Sequence, residues 1–114
     1  LTCEMEEAEI DALIEEKGLP MYTAQTITDA AEFKKELAKV RLEGVARDRN
    51  EFIEGDNCSA APIRDRYGKI IAGISVSALT SNMLVEEIEA TIPRLKETAS
   101  RISYMMGYMA TPVL

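Results

Sequence analysis

Four side chains near the middle of the chain have types and spacing suited to holding a small polar molecule: Asp48, Cys58, Ser75 and Ser77. A carboxylate accepts hydrogen bonds, a hydroxyl both donates and accepts, and a thiol adds a soft, weakly polar surface. Ser75 and Ser77 stand two apart in I-S-V-S, so strand alternation puts both hydroxyls on one face and groups Cys58 with Ala60 in the same way. Catalytic readings are thin. The chain contains no histidine, which removes the usual general base near neutral pH and the commonest metal ligand. With no base or cation assigned beside it, Cys58 reads as a buried, inert thiol and not as a nucleophile. Glu51, Glu54 and Asp56 follow Asp48 closely, but their spacing fits no calcium loop. The sequence holds neither a phosphate-binding glycine loop nor a dinucleotide fingerprint. No enzymatic activity, cofactor or metal is expected.

The elements that must position these groups follow from periodicity. Residues 57–64 and 69–77 flank Asp65-Arg66-Tyr67-Gly68, a four-residue loop with glycine in last place, and predict a hairpin over 57–77. Closing the loop with Asp65 opposite Gly68 sets Cys58 opposite Ser75, Ala60 opposite Gly73 and Asp56 opposite Ser77. One face then carries Ser59, Ala61 and Ile63 with Ile70, Ala72, Ile74 and Val76, and is a core face. The other carries Asp56, Cys58, Ala60 and Pro62 with Ile71, Gly73, Ser75 and Ser77. Small and mildly polar, this second face suits either solvent or the floor of a small-molecule pocket, and alternation leaves both open. Residues 45–48 predict a short strand ending at Asp48. Helices are predicted over 4–17, before Gly18 and Pro20, and over 29–43, where Asp29 and Glu32 have capping-box spacing and Gly44 follows as a stop. From about Leu84 the stripe Ile88, Ile92, Leu95, Ala99, Ile102, Met106 predicts a final helical region, with Pro93 imposing a kink or a short helix before a longer one. The tail after Gly107 is expected to be poorly ordered. An antiparallel sheet flanked by helices makes the fold class α+β.

The chain has 114 residues and a net charge of −7. That length suits one domain with a single core. Residues 1–16 hold seven acidic side chains and no basic one, which is the whole net charge in one solvated helix face. Such a balance does not grip nucleic-acid phosphates. Two cysteines, Cys3 and Cys58, make no disulfide framework. No apolar run approaches membrane-spanning length, so no membrane association is expected, and a cytoplasmic setting is the default. The first residue is leucine, and a piece of a longer protein is expected.

The run TITDAAEFKKELAKVRLEGVARDRNEFIEGDNCSAAPIRDRYGKIIAGISVSALTS resembles the C-terminal, effector-binding domain of the IclR family of bacterial transcriptional regulators. The matching features are TITD before a helix, the Gly-x-Ala-x-Asp strand, E-x-x-E-G-x-x-C, the hairpin C-x-A-A-P-I-R-D-x-x-G and the strand I-S-V-S, over about residues 19–106. Residues 2–18 are also similar to the helix that precedes TITD there. The resemblance implies a GAF-like domain of which residues 1–114 are roughly the C-terminal two-thirds. It also implies a winged helix-turn-helix DNA-binding domain, N-terminal to the sensor and absent from this chain. It implies that Asp48, Cys58, Ser75 and Ser77 bind a small organic acid or related metabolite, which tips the second face towards a pocket. In a homodimer or tetramer, that binding would alter the affinity for operator DNA. A purely structural, oligomerising role is the alternative. The chain departs from the family pattern at Ala78-Leu79, where Gly-Pro is usual, at Leu84, where a threonine cap is common, and at Asp56, where an aliphatic residue is common.

Overall fold

A computed structural model describes residues 1–109. Helix α1 spans Glu7–Lys17 and α2 spans Ala30–Glu43. Strands β1 (Ala46–Arg49), β2 (Asp56–Arg64) and β3 (Ile70–Leu79) follow, then α3 (Val85–Ala90) and α4 (Ile92–Met105). The strands form one antiparallel sheet in the order β1-β2-β3, so the α+β expectation holds.

Helix α1 starts later than the predicted residue 4. Thr2–Glu4 form a separate 3-10 turn, and Met5 and Glu6 are extended. The break lets Cys3 and Ile10 both turn inward against Leu37, with Met5, Ile14, Phe33 and Val40 packed around them. Helix α2 is capped as read: the Asp29 carboxylate accepts from the Glu32 backbone N–H at 3.0 Å. Gly44 stops it in the left-handed region, at φ 73°, where a side chain would clash with its own backbone.

The hairpin register differs from the loop-closure expectation. Cys58 pairs with Ser77, Ala60 with Ser75, Pro62 with Gly73 and Asp56 with Leu79. Asp65 closes a longer loop, its N–H donating to Lys69 O at 2.9 Å, while its carboxylate accepts from the amides of Tyr67 and Lys69. The register then shifts again between Ile63 and Arg64, leaving Ile71 as a bulge between Ala72 and Ile70. Ile70 therefore leaves the core face on which it was expected and joins Val40 and Phe33 beside α2. The net slip is two residues, so every residue from Ala72 onward keeps its face.

The main core lies on the face bearing Ala61, Ile74 and Val76, covered by Ile92, Leu95 and Ala99 of α4 and by Val45. The α3–α4 break falls at Thr91 with Pro93 in the first turn of α4, as the proline required. The predicted stripe is buried from Ile88 to Ala99, but Met106 is exposed. Past Ala60 no β1 residue pairs with β2, and Pro62 sits where a missing N–H costs least. There Ser103 of α4 replaces the strand: its hydroxyl accepts from Arg64 N–H at 2.9 Å.

The chain beyond Gly107 is in part ordered. Gly107 takes φ 94°, and Tyr108 N–H donates to Ser103 O at 2.9 Å, closing the helix in a Schellman pattern. Residues 110–114 lie outside the described residues. No described helix is long and apolar enough to cross a membrane.

Candidate functional site

Asp48 lies opposite Cys58, and Cys58 lies opposite Ser77, so the three form one row across β1, β2 and β3. Ala46, Ala60 and Ser75 form the next row on the same face. Facing residues on adjacent strands share a side of the sheet, so the four side chains singled out from sequence come together on one face. Rows on a face repeat at about 6.6–6.8 Å along a strand, and strands lie about 4.8 Å apart. The four groups thus fit within reach of one small molecule.

Asp48 and Cys58 are half-buried, while Ser75 and Ser77 are exposed. Cys58 is less enclosed than the buried thiol expected: the 3-10 turn and α2 border the sheet at Ala46, Ala60, Pro62 and Gly73 and not at Cys58. The Cys58 Sγ sits 3.9 Å from Ser59 O. The Asp48 carboxylate accepts from Glu51 N–H at 2.9 Å, which caps the turn after β1 and leaves its second oxygen free for other donors. Beside this row a recess of about 70 Å³ opens between α2 and the sheet, lined by Val40, Arg41, Ala46, Ala60 and Gly73. Asp48 and Cys58 also border a void of about 20 Å³ against α3, and Ser75 borders a broad groove between β3 and α4. Among the described residues no single recess is lined by all four.

The frame around the face is tied by charge and hydroxyl contacts. Arg47, on the opposite side of β1, holds Glu89 of α3 through Nε at 2.7 Å and Nη2 at 3.1 Å, and Glu43 of α2 at 2.8 Å. The Arg47 hydrogen bond holds the Glu89 carboxyl below its ordinary range, and the Glu89 hydrogen bond raises Arg47 in turn. At the other end Arg64 grips Glu4 bidentately, at 2.8 and 2.7 Å, and also donates to Gly68 O at 2.9 Å. Lys34 pairs with Glu7 and Asp11. The acidic first helix, read as a purely solvated face, is therefore partly neutralised by α2.

Sequence reasoning missed the residues that shape the rim. Thr23 donates its hydroxyl proton to Asn50 O, and Thr26 donates to Glu51 O, strapping the loop between α1 and α2 onto the turn between β1 and β2. Asn50 adopts φ 60°, its Oδ1 accepts from Gly55 N–H at 2.6 Å, and its Nδ2 donates to the buried Asn57 at 3.2 Å. An asparagine between a strand and a glycine was the one available signal, since asparagine tolerates the left-handed region. Tyr22 and Phe52 meet edge to face across the two loops, 4.9 Å between centroids.

Comparison with known proteins places the fold. The family model described as "Bacterial transcriptional regulator IclR C-terminal" matches residues 1–104. The HTH-type transcriptional regulator KdgR of Escherichia coli is 34% identical over 104 residues, covering 91% of this chain and 40% of that protein. The chain thus spans well under half the length of such relatives, which are regulators and not enzymes. The crystal structure of the C-terminal domain of E. coli KdgR superposes with a TM-score of 0.83 at 32% identity, over 93% of this chain and 65% of that one. A double mutant of the PobR inducer-binding domain from Acinetobacter, in complex with 3-hydroxybenzoic acid, superposes with a TM-score of 0.84 at 25% identity, over 89% of this chain and 58% of that one. The chain belongs to the IclR family of bacterial transcriptional regulators, and its fold is that of the family's C-terminal domain.

Proposed function

We propose that residues 1–114 are a ligand-sensing unit whose sheet face, bearing Asp48, Cys58, Ser75 and Ser77, binds a small organic acid or related metabolite. The observation that carries this reading is the register: two adjacent rows bring a carboxylate, a thiol and two hydroxyls together, with only Ala46 and Ala60 between them in those rows. The hydroxyls would donate to a ligand carboxylate, and Asp48 would accept from a ligand hydroxyl. The PobR complex with a hydroxybenzoic acid supports an acid carrying a second polar group.

The chain corresponds, in this reading, to the C-terminal two-thirds of a sensor domain. The 65% coverage of the KdgR domain supports this, and so does the outer edge of β3, which has no strand partner among the described residues. Effector binding would shift the populations of a cytoplasmic homodimer or tetramer and so change operator affinity through an N-terminal helix-turn-helix domain. These 114 residues, at net charge −7, would not touch DNA. A second reading, an assembly module without a working pocket, draws on the exposed Tyr104, Met105 and Met106 at the end of α4.

Thermal-shift measurements on the chain against small carboxylic and hydroxy acids test the proposal. At least one acid should raise the midpoint, and Ser75→Ala and Ser77→Ala should reduce that rise without lowering unliganded stability. A flat response from all three proteins would overturn the sensing role, and concentration-dependent dimerisation in sedimentation would then favour the assembly module.

A further inference from the structure

One polar side chain on the proposed face is unaccounted for. Asp56, the first residue of β2, lies two residues before Cys58, and its row with Leu79 adjoins the Asp48, Cys58, Ser77 row. Its backbone is held on both sides, by Asp56 N–H to Ile53 O at 3.1 Å and Asn50 N–H to Asp56 O at 3.0 Å. The residue is half-buried, yet among the described residues its carboxylate accepts no hydrogen bond and joins no ion pair. Of the neighbouring acids, Asp48 caps Glu51 N–H and Glu51 accepts from Arg49 N–H at 3.0 Å, while Glu54 is exposed to solvent. Asp56 has no such structural task.

The aspartate end of the face has no cation to balance it: Arg41 lines the recess with Ala46, Ala60 and Gly73, towards the other end, and donates to Cys3 O at 2.6 Å. Alternation puts Arg47 and Arg49 on the other side of β1, and Arg47 is committed to Glu43 and Glu89. Arg64 shares the face but lies at the hairpin end, committed to Glu4. Asp48 and Asp56 are diagonal neighbours, about 7–8 Å apart at Cα, with the hydroxyls of Ser75 and Ser77 on the far strand. A purely anionic ligand laid across this face meets two uncompensated carboxylates. A ligand that pairs a carboxylate at the hydroxyl end with a protonated amine at the aspartate end meets the opposite charge at each end.

We propose that Asp56 is a specificity-determining residue of this face and selects a small acid that also carries a protonated amine. The proposal rests on the sensing role given above and narrows its ligand class. The experiment is calorimetric titration of the chain with matched pairs that differ in hydroxyl against amine: glycolate and glycine, lactate and alanine, malate and aspartate. The amine member should bind roughly twofold to fivefold more tightly, the preference should weaken with added salt, and Asp56→Asn should abolish it while leaving the hydroxy acids bound. Equal or tighter binding of the hydroxy acids by the unmodified chain overturns the role of Asp56 and leaves the sensing role standing. An amine preference that persists in Asp56→Asn, in a variant that unfolds at an unchanged midpoint, also overturns it. Binding of neither series removes the proposal together with the sensing role on which it rests.

Discussion

Ser103→Ala removes one oxygen atom from the interior and should cost far more than its size suggests. Ser103 is 3% exposed, and its hydroxyl donates to Ala99 O at 2.8 Å while accepting from Arg64 N–H at 2.9 Å. Loss of the donated bond is mild, because the Ala99 carbonyl keeps its own helical partner. Loss of the accepted bond is not, because β1 pairing ends at Ala60 and no strand stands ready to receive the Arg64 amide. Orphaning a buried amide costs about 1–3 kcal/mol, and the better helix propensity of alanine returns about 0.5 kcal/mol. The expected net loss is about 0.5–2.5 kcal/mol. With a urea slope of about 1–2 kcal/mol per M for a chain of this size, the midpoint should fall by roughly 1 M at constant slope. Ser100→Ala, on the exposed side of the same helix, is the control and should be neutral or slightly stabilising. Hydrogen exchange gives a local readout, since the Arg64 amide should lose protection before its strand neighbours. If Ser103→Ala matched Ser100→Ala in midpoint and in exchange, the hydroxyl would not be standing in for a strand.

Asp29→Ala should lower stability by about 1 kcal/mol through loss of the α2 cap, with Asp29→Asn close to unchanged because the acceptor survives; thermal unfolding of the two variants separates cap from charge. The Arg64 hydrogen bond holds the Glu4 carboxyl below its ordinary value of 4.5, so the pair contributes stability that is fully present above that value and is lost as pH falls through the lower folded value. Glu4→Gln should therefore be slightly less stable than the unmodified chain near neutral pH, by under about 1 kcal/mol for so exposed a pair. The gap should close in strongly acidic buffer, and a gap that widened on acidification would refute the pairing.

How much of this was legible in the sequence depends on the range of the interaction. Asp29, Gly44 and Pro93 act within one turn of chain, and each set its helix boundary as its chemistry requires. The Arg64–Ser103 bond and the straps from Thr23 and Thr26 join residues 25–39 positions apart, and no local periodicity encodes them. The hairpin register is intermediate. The loop pattern suggested closure at Gly68, but the two amides taken by Asp65 extend the loop to Lys69, and Ile70 is drawn across the bulge by Val40 and Phe33 of a distant helix. These two departures sum to a slip of two, and that parity is not accidental. A slip of one would have turned Ile74 and Val76 away from Leu95 and Ala99 and put Ser75 and Ser77 into the core without partners. The side chains that bury themselves therefore decide which ones face outward. Asp48, Cys58, Ser75 and Ser77 share a face because Ala61, Ile74 and Val76 must share the other one, and the same constraint places Asp56 beside them whatever the exact pairing.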